Sequence, residues 1–207
     1  MTTRDFLHKR FNPKSLPSPV KELHKVIGEV EFNRRHLAKL FAELGYKRGA
    51  EIGVDAGRYS QILCQEIPDL ELWCVDPWIP LTDYSDPVTG EKWGPQTESR
   101  TLRNMERTKK RLKDRNVHII RGTSMDVVRD FDVDLDFVYI DANHNFNYVM
   151  EDLINWGKKV RKGGIIAGHD YQERFPGLMI AVNAYTDFHV SEWFLNTDKS
   201  SSYFWAK

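Results

Sequence analysis

GAEIGVDAGRYS, residues 49–60, decides the fold of this 207-residue chain. The first part of the stretch has the apolar character of a short buried strand. Glycines at 53 and 57 predict a tight turn in which the backbone can approach a ligand closely. Residues 58–66 continue with apolar side chains at helical spacing. A strand, a glycine turn and a helix in this order form the first unit of a ligand-binding α/β sheet.

The alternation of strand and helix continues toward the C-terminus. We predict strands at 70–76, 117–121, 135–141 and 163–170, and helices at 97–113, 124–129 and 145–160. Such alternation is typical of a parallel sheet with helices on both faces. After a further helix around 178–187, HVSEWFLN and SYFWAK flank the turn TDKSS, which predicts a β-hairpin. The fold class is therefore α/β, with an antiparallel hairpin at the C-terminal end.

Two segments lie outside this alternation. Residues 1–20 contain three prolines and look irregular, whereas 20–45 carry apolar side chains at helical spacing. We predict an N-terminal helical extension over 1–45, followed by a ligand-binding domain over 46–207. Residues 77–96 are rich in Pro, Gly, Asp and aromatic side chains and predict an inserted loop. This loop is either a substrate lid or a surface excursion.

Composition narrows the class of protein. The chain has 30 Lys and Arg residues and 30 Asp and Glu residues, so its formal net charge is zero. Proteins that coat nucleic acid usually have an excess of basic residues, so a nucleic-acid partner is disfavoured. No apolar run reaches membrane-span length, and the N-terminus is too polar for a secretory signal. Cys64 and Cys74 lack the spacing of a zinc or redox motif, so we expect buried thiols. These features predict a cytoplasmic protein.

The glycine turn contains an aspartate at a position where a dinucleotide-binding turn has glycine. Asp55 occupies the second glycine position of the GxGxxG pattern, and Glu51 lies close by. Two carboxylates repel a pyrophosphate but attract the ammonium and sulfonium groups of S-adenosylmethionine. The carboxylate of that cofactor can meet the helix N-terminus, with Arg58 or Ser60 beside it. The charges therefore favour S-adenosylmethionine over NAD.

Asp76 ends the second strand, 19 residues after Gly57. An acid at this position can accept hydrogen bonds from both ribose hydroxyls. Pro77 and Trp78 follow it and are expected to cover one face of an adenine. The other face is expected to meet the segment after the third strand, which contains Thr123, Ser124 and Met125.

These stretches, together with FVYIDANHNFNYVMEDL (137–153) and VRKGGIIAGHDY (160–171), resemble the class I S-adenosylmethionine-dependent methyltransferases. The resemblance is to the branch with an IDxxH motif and a terminal HDY, and it covers roughly residues 45–175. It implies a Rossmann-like three-layer sandwich with a mostly parallel, seven-stranded sheet. The expected cofactor contacts are Glu51, Gly53, Val54, Asp55, Arg58, Tyr59, Ser60, Asp76, Pro77, Trp78, Thr123, Ser124, Met125 and Asp141.

Polar side chains also follow the fourth and fifth strands. Asp141 and His144 come from IDANH, and His169 and Asp170 come from HDY. A hydroxyl acceptor is a weak nucleophile until it loses its proton, which a base or a divalent cation can promote. We expect His144 or His169 as the base, with Asp141 and Asp170 orienting or ligating. Related small-molecule O-methyltransferases hold Mg²⁺ with an acidic pair after strand five, where this chain has His169 first, so the metal stays open.

The expected activity is transfer of a methyl group to a small-molecule acceptor by in-line displacement, with a hydroxyl oxygen as the favoured acceptor atom. Aromatic and acidic residues in the 77–96 loop suit a sugar-like molecule. An N-methyltransferase and a non-catalytic cofactor-binding domain are the alternatives, and an NAD-dependent oxidoreductase is less favoured. Nucleic-acid methyltransferases often carry Asn-Pro-Pro-Tyr after strand four, where this chain has Asp-Ala-Asn-His. A homodimer stays open.

Overall fold

The computed structural model describes residues 1–12, 19–23, 31–80, 85, 90 and 97–207. Within them the chain forms one sheet of eight strands flanked by seven helices. The strands are β1 (Val20–Glu22), β2 (Arg48–Ile52), β3 (Glu71–Asp76), β4 (Val117–Arg121), β5 (Leu135–Ile140), β6 (Val160–Tyr171), β7 (Trp193–Leu195) and β8 (Ser201–Ala206). The helices are α1 (Thr3–Phe11), α2 (Arg34–Glu43), α3 (Arg58–Glu66), α4 (Glu98–Arg111), α5 (Ser124–Asp130), α6 (Phe146–Lys159) and α7 (Pro176–His189).

The strand order is β1-β7-β8-β6-β5-β2-β3-β4. All neighbouring strands pair in parallel except β8, which runs antiparallel to both β6 and β7. This arrangement confirms the predicted Rossmann-like α/β fold, with its mostly parallel sheet and its C-terminal antiparallel hairpin. The seven expected strands are all present.

The eighth strand, β1, is a departure from the sequence analysis, which predicted helix at these residues. Val20 pairs with Trp193 and Glu22 with Leu195, so β1 extends the sheet beyond β7. The edge of β7 offers unpaired backbone groups, and such an edge attracts another strand. The helical prediction is correct for α2, while residues 24–30 lie outside the described part of the chain.

The N-terminal residues are also more ordered than their prolines suggest. Helix α1 begins with a capping box, in which the Thr2 hydroxyl accepts from the Asp5 N–H and the Asp5 carboxylate accepts from the Thr2 N–H. Leu7 and Phe11 on this helix are buried against the sheet. The irregular structure predicted for 1–20 is therefore wrong for Thr3–Phe11.

Strand β5 shows how the sheet divides the core into two layers. Phe137 and Tyr139 point into the layer of α1, α2 and α3, whereas Val138 and Ile140 point into the layer of α6 and α7. This alternation follows from the two-residue period of a strand. In the first layer Phe41 of α2 stacks on Phe137, with ring centroids 4.4 Å apart. The three-layer sandwich is confirmed.

The structure describes part of the inserted loop of residues 77–96. Residues 77–80, 85 and 90 are described, and the rest of 81–96 lies outside the described residues. Cys64 and Cys74 are both buried and unbridged, as expected, and burial raises the pKa of the Cys64 thiol to about 11. Among the described helices, none has both the length and the apolar character that crossing a membrane requires.

Candidate cofactor pocket and acid–histidine cluster

The turn after β2 passes very close to the end of β5. Gly53 has φ +90°, and a side-chain carbon added there would overlap the carbonyl oxygen of Asp141. The Asp141 N–H donates to the Ile52 carbonyl at 2.7 Å, which holds the two strand ends together. Glycine is therefore required at position 53 by both its backbone conformation and the lack of space.

Asp76, at the end of β3, holds the turn from the other side. Its Oδ2 accepts from the N–H groups of Val54 (2.9 Å) and Asp55 (2.8 Å), and its Oδ1 accepts from the Trp78 N–H (2.7 Å). Burial raises the pKa of Asp76 even though these hydrogen bonds favour its charged form. One acceptor position on Oδ1 remains for a ligand hydroxyl. Asp76 is thus both an anchor of the glycine turn and a candidate ribose contact.

A cavity of about 440 Å³ opens at the carboxyl ends of β2, β3, β4 and β5. Many of the residues predicted from sequence line it: Gly53, Asp55, Asp76, Pro77, Trp78, Thr123, Ser124, Met125 and Asp141. Lining residues that the sequence analysis did not single out are Ile52, Val75, Ile79, Thr101, Ala142, Asn143, Tyr148, Glu151 and Asp152. We call this cavity the cofactor pocket.

Five predicted contacts do not reach the cofactor pocket. The side chain of Glu51 is buried on the opposite face of β2 and accepts a hydrogen bond from the Ser60 hydroxyl. Tyr59 packs on Tyr139 in the same layer, with ring centroids 4.2 Å apart. Val54 is buried next to them, and Arg58 is exposed to solvent. Because strand side chains alternate between faces, Glu51 points away from the cavity that Ile52 lines.

We expect Glu51→Gln to stabilise the protein increasingly as pH rises. Burial raises the pKa of Glu51 to about 8, although the Ser60 hydrogen bond opposes the shift. The folded state therefore resists ionisation, and stability is lost as pH rises from the unfolded pKa, about 4.5, through 8. Glutamine stays neutral, so the melting temperature of the variant should exceed that of the parent by about 3 °C or more at pH 9.

The matched control for Glu51→Gln is Glu173→Gln, because Glu173 is exposed. Melting curves by circular dichroism at pH 5 and pH 9 should show no pH-dependent gain for the control. An equal gain for both variants, or none for Glu51→Gln at pH 9, would contradict the assignment of a buried carboxyl with a raised pKa.

The four residues predicted for the chemical step lie together beside the cofactor pocket, and we call them the acid–histidine cluster. Asp141 and His144 follow β5, and His169 and Asp170 lie near the end of β6. His169 Nδ1 is 3.2 Å from Asp170 Oδ1 and 3.6 Å from Asp141 Oδ2. His144 Nε2 is 3.5 Å from Asp170 Oδ2 and 3.8 Å from Asp141 Oδ1. Each imidazole thus faces both carboxylates.

These charges fix the protonation of two members of the cluster. Burial lowers the pKa of His169, but the hydrogen bonds to Asp141 and Asp170 outweigh burial and raise it to about 9. Burial alone would raise the pKa of Asp141, yet the imidazoles of His144 and His169 hold it well below its ordinary range. Asp141 is therefore an ionised carboxylate at neutral pH.

Arg34 is a site residue that the sequence analysis missed. Its Nη1 lies 3.8 Å from Asp141 Oδ2, and its guanidinium lies over the Tyr59 ring. The hairpin holds it in place, because the Arg34 N–H donates to Asp198 Oδ2 at 2.9 Å. No local motif marks Arg34, since its partner Asp141 is distant in the sequence. The N-terminal extension thus supplies a cation to the site.

Asp152 is a second site residue that the sequence analysis did not identify, although its position in the sequence pattern of α6 could have indicated it. The buried positions of α6 include Val149, Asp152, Leu153 and Trp156. These positions have the spacing of a buried helix stripe, on which a carboxylate is unusual. Burial raises the pKa of Asp152 to about 7, despite a hydrogen bond from the Ser124 hydroxyl.

Part of the acid–histidine cluster fits a divalent cation. Asp141, His144 and Asp170 can each offer one ligand atom, and these atoms lie within 4.8 Å of one another. Two carboxylates and one imidazole form a mixed oxygen and nitrogen donor set. Such a set suits Mn²⁺, Fe²⁺ or Zn²⁺ better than Mg²⁺, which prefers oxygen ligands.

Comparison with known proteins places the chain among enzymes. A family model described as a methyltransferase domain matches residues 50–171. No curated protein matches the chain.

Several solved structures share the fold at low sequence identity. The O-methyltransferase NovP has 19% identity and a TM-score of 0.61 over 84% of this chain and 78% of that chain. The O-methyltransferase from Bacillus cereus in complex with SAH has 11% identity and a TM-score of 0.59 over 98% and 88%. The SAH-bound methyltransferase PaMTH1 from Podospora anserina has 12% identity and a TM-score of 0.59 over 84% and 78%.

Proposed function

This chain belongs to the methyltransferase domain family, and on that premise we propose that it transfers a methyl group from S-adenosylmethionine to a hydroxyl oxygen of a small-molecule acceptor. Two of the structures of similar fold are O-methyltransferases, and two are bound to SAH (S-adenosylhomocysteine), the product of that cofactor. A cytoplasmic location and a homodimer stay predictions from the sequence.

The main support for this proposal is the negative charge of the cofactor pocket. Five of its lining side chains are carboxyl groups, namely Asp55, Asp76, Asp141, Glu151 and Asp152. Among the described residues that line it, none is a lysine or an arginine. Such a lining repels the pyrophosphate of a nicotinamide dinucleotide and attracts a sulfonium and an ammonium group. The pocket therefore favours S-adenosylmethionine over NAD.

The strand order suggests how the cofactor lies. The glycine turn after β2 receives its amino acid part, Asp76 after β3 accepts from the ribose, and Ser124 and Met125 after β4 border the adenine. Trp78 and Ile79 line the pocket from the β3 side. This orientation directs the sulfonium toward β5, where Asp141 borders both the cofactor pocket and the acid–histidine cluster.

When bound, S-adenosylmethionine supplies an activated methyl group on its sulfonium. The residues of this chain position the acceptor in line and remove the proton of its hydroxyl. We assign the proton to His144 of the acid–histidine cluster, because the pKa of His169 is raised to about 9 and that imidazole already holds a proton at neutral pH. The His144 imidazole faces both Asp141 and Asp170. A cation held by Asp141, His144 and Asp170 would instead lower the pKa of the acceptor hydroxyl.

Cofactor identity is tested by binding alone. We expect S-adenosylhomocysteine to raise the melting temperature of the protein and to give a measurable heat by isothermal titration calorimetry, whereas NAD gives neither. Asp76→Ala should weaken S-adenosylhomocysteine binding by about 100-fold, because it loses a charged hydrogen-bond acceptor and the anchor of the turn.

Asp130→Ala is the control for this experiment, because Asp130 is exposed and lies outside the cofactor pocket. Its affinity should equal that of the parent. Stabilisation by NAD without stabilisation by S-adenosylhomocysteine would refute the proposed function. Unchanged binding in Asp76→Ala would refute the placement of the ribose.

A further inference from the structure

The carboxylate of S-adenosylmethionine finds no cation in the lining of the cofactor pocket. Five lining side chains are carboxyl groups, and none of the described lining residues is a lysine or an arginine. From the sequence, Arg58 or Ser60 was expected beside this carboxylate. However, Arg58 is exposed to solvent, and the Ser60 hydroxyl donates to the buried Glu51. Because an acidic cavity repels a carboxylate, a compensating cation has to reach it from beside the pocket.

Arg34, the first residue of α2, lies beside the glycine turn. Its Nη1 is 3.8 Å from Oδ2 of Asp141, and Asp141 lines the cofactor pocket. Its guanidinium carbon is 5.5 Å from the centre of the Tyr59 ring. Tyr59 is the second residue of α3, which begins where the glycine turn ends. These two contacts place the guanidinium between the end of β5 and the start of α3, the region assigned to the amino acid part of the cofactor.

The guanidinium of Arg34 has hydrogen-bond donors available for a ligand. It carries five N–H donors, and 3.8 Å from Asp141 is too long for a hydrogen bond. Burial lowers the pKa of Arg34, but Tyr139 and Asp141 outweigh burial and raise it, so the group stays charged. Within the described part of the chain, Asp141 is its one carboxylate partner. The side chain is 38% exposed, so a ligand oxygen can reach these donors.

The ion pair of Arg34 and Asp141 is complementary to an amino acid zwitterion. The amino acid part of S-adenosylmethionine carries an ammonium and a carboxylate on one carbon atom, and the ion pair presents the two opposite charges side by side. We propose that Arg34 binds the carboxylate of the cofactor, while Asp141 accepts a hydrogen bond from its ammonium. This inference rests on the proposed function, because it presumes that S-adenosylmethionine occupies the cofactor pocket.

The N-terminal extension holds Arg34 in place before a ligand arrives. The Arg34 N–H donates to Asp198 Oδ2 at 2.9 Å, and the Asn33 side chain caps α2 by accepting from the N–H groups of Arg35 and His36. A fixed guanidinium loses little freedom when it binds, and its planar fork matches a carboxylate. Arg34 lies outside residues 50–171, which the methyltransferase family model matches. The extension therefore completes a pocket that the matched domain leaves without a cation.

The adjacent Arg35 provides a matched control. It lies on the same helix and carries the same charge, but its guanidinium pairs with Glu66 at the end of α3. Replacing either arginine with glutamine changes the net charge of the protein equally. A difference between the two variants therefore reports the position of the guanidinium and not the overall charge.

The test compares two ligands by isothermal titration calorimetry at pH 7.5. One is S-adenosylhomocysteine, and the other is its analogue in which hydrogen replaces the carboxylate. The parent protein should bind S-adenosylhomocysteine about tenfold or more tightly than the analogue, as expected for hydrogen bonds between charged groups. Arg34→Gln should lose this preference through weaker binding of S-adenosylhomocysteine, with the Kd of the analogue within about threefold of the parent value. Arg35→Gln should keep the preference.

Two results would overturn the role of Arg34. One is equal affinity of the parent protein for both ligands, a measurement that does not depend on whether a variant folds. The other is an undiminished preference in Arg34→Gln that circular dichroism shows to be folded. If S-adenosylhomocysteine does not bind the parent at all, the proposed function fails, and the role of Arg34 fails with it.

Discussion

Asp141→Asn is expected to lower kcat for methyl transfer by about 1,000-fold, within the range known for loss of acid–base assistance. The Asp141 carboxylate faces the imidazoles of His144 and His169 and the guanidinium of Arg34. Asparagine keeps the shape of the side chain but removes the negative charge that these three cations or donors share. Both imidazoles then lose one of the two carboxylates that they face, and only Asp170 remains charged beside them.

Binding separates this effect from a general loss of structure. Because asparagine retains an oxygen at the border of the cofactor pocket, the Kd for S-adenosylhomocysteine should change by less than about tenfold, or 1.4 kcal/mol. Steady-state kinetics and calorimetry on the same preparation measure both quantities. A kcat within tenfold of the parent would show that Asp141 has no part in the chemical step.

The control is Asp134→Asn, since Asp134 is exposed and precedes the same strand, β5, at its other end. It should leave kcat unchanged. Adding EDTA and then Mn²⁺ to the same assay identifies how the acid–histidine cluster works. Activity that falls with EDTA and returns with Mn²⁺ assigns Asp141, His144 and Asp170 to a metal, whereas unchanged activity assigns the proton to an imidazole.

Among glycine-to-alanine substitutions in the glycine turn, Gly53→Ala should lower stability and ligand affinity the most. The backbone at Gly53 has φ +90°, which costs an alanine about 1–3 kcal/mol. The added carbon also overlaps the Asp141 carbonyl oxygen, which belongs to the backbone and cannot rotate away as a side chain could. We expect the melting temperature to fall by about 6 °C or more, and S-adenosylhomocysteine binding to weaken by at least about 100-fold.

Gly45→Ala is a matched control that tests the effect of a positive φ without steric overlap. Gly45 has φ +74°, but nothing lies within 4 Å of the position that its added carbon would take. The control should lose only about 1 kcal/mol and keep full ligand affinity. If Gly53→Ala is no worse than Gly45→Ala in stability and binding, the close approach of β2 and β5 is not required.

Local periodicity explains why most of the fold was predictable. The segment 135–141 is rich in β-branched and aromatic residues, which predicts a strand. Helix α3 has a continuous apolar face, which predicts a helix, so a few neighbouring residues are enough to identify each element. Strand β1 does not, because its pairing with Trp193 depends on residues far along the chain. A short edge strand of three residues has no period of its own.

The candidate site divides in the same way. Asp76 and Asp141 were predictable because Asp76 ends β3 and Asp141 directly follows β5, and parallel strands bring their carboxyl ends to one edge of the sheet. Glu51 and Ser60 were assigned to the cofactor because they are near the turn in sequence. The alternation of strand side chains places Glu51 on the other face of β2, where Ser60 of α3 hydrogen-bonds to it. Arg34 was beyond prediction, because tertiary packing alone brings it to Asp141.

The start of α2 is hydrogen-bonded to the turn between β7 and β8, and this contact affects the order in which the protein folds during translation. Phe32 and Thr197 exchange two hydrogen bonds, of 2.7 and 3.0 Å, and the Arg34 N–H bonds to Asp198. Segments emerge from the ribosome in order, so Phe32 and the Arg34 N–H lack these hairpin partners for most of translation. The hydrogen bonds that fix the start of α2, and with it Arg34 beside Asp141, are therefore completed only after residue 198 has been synthesised.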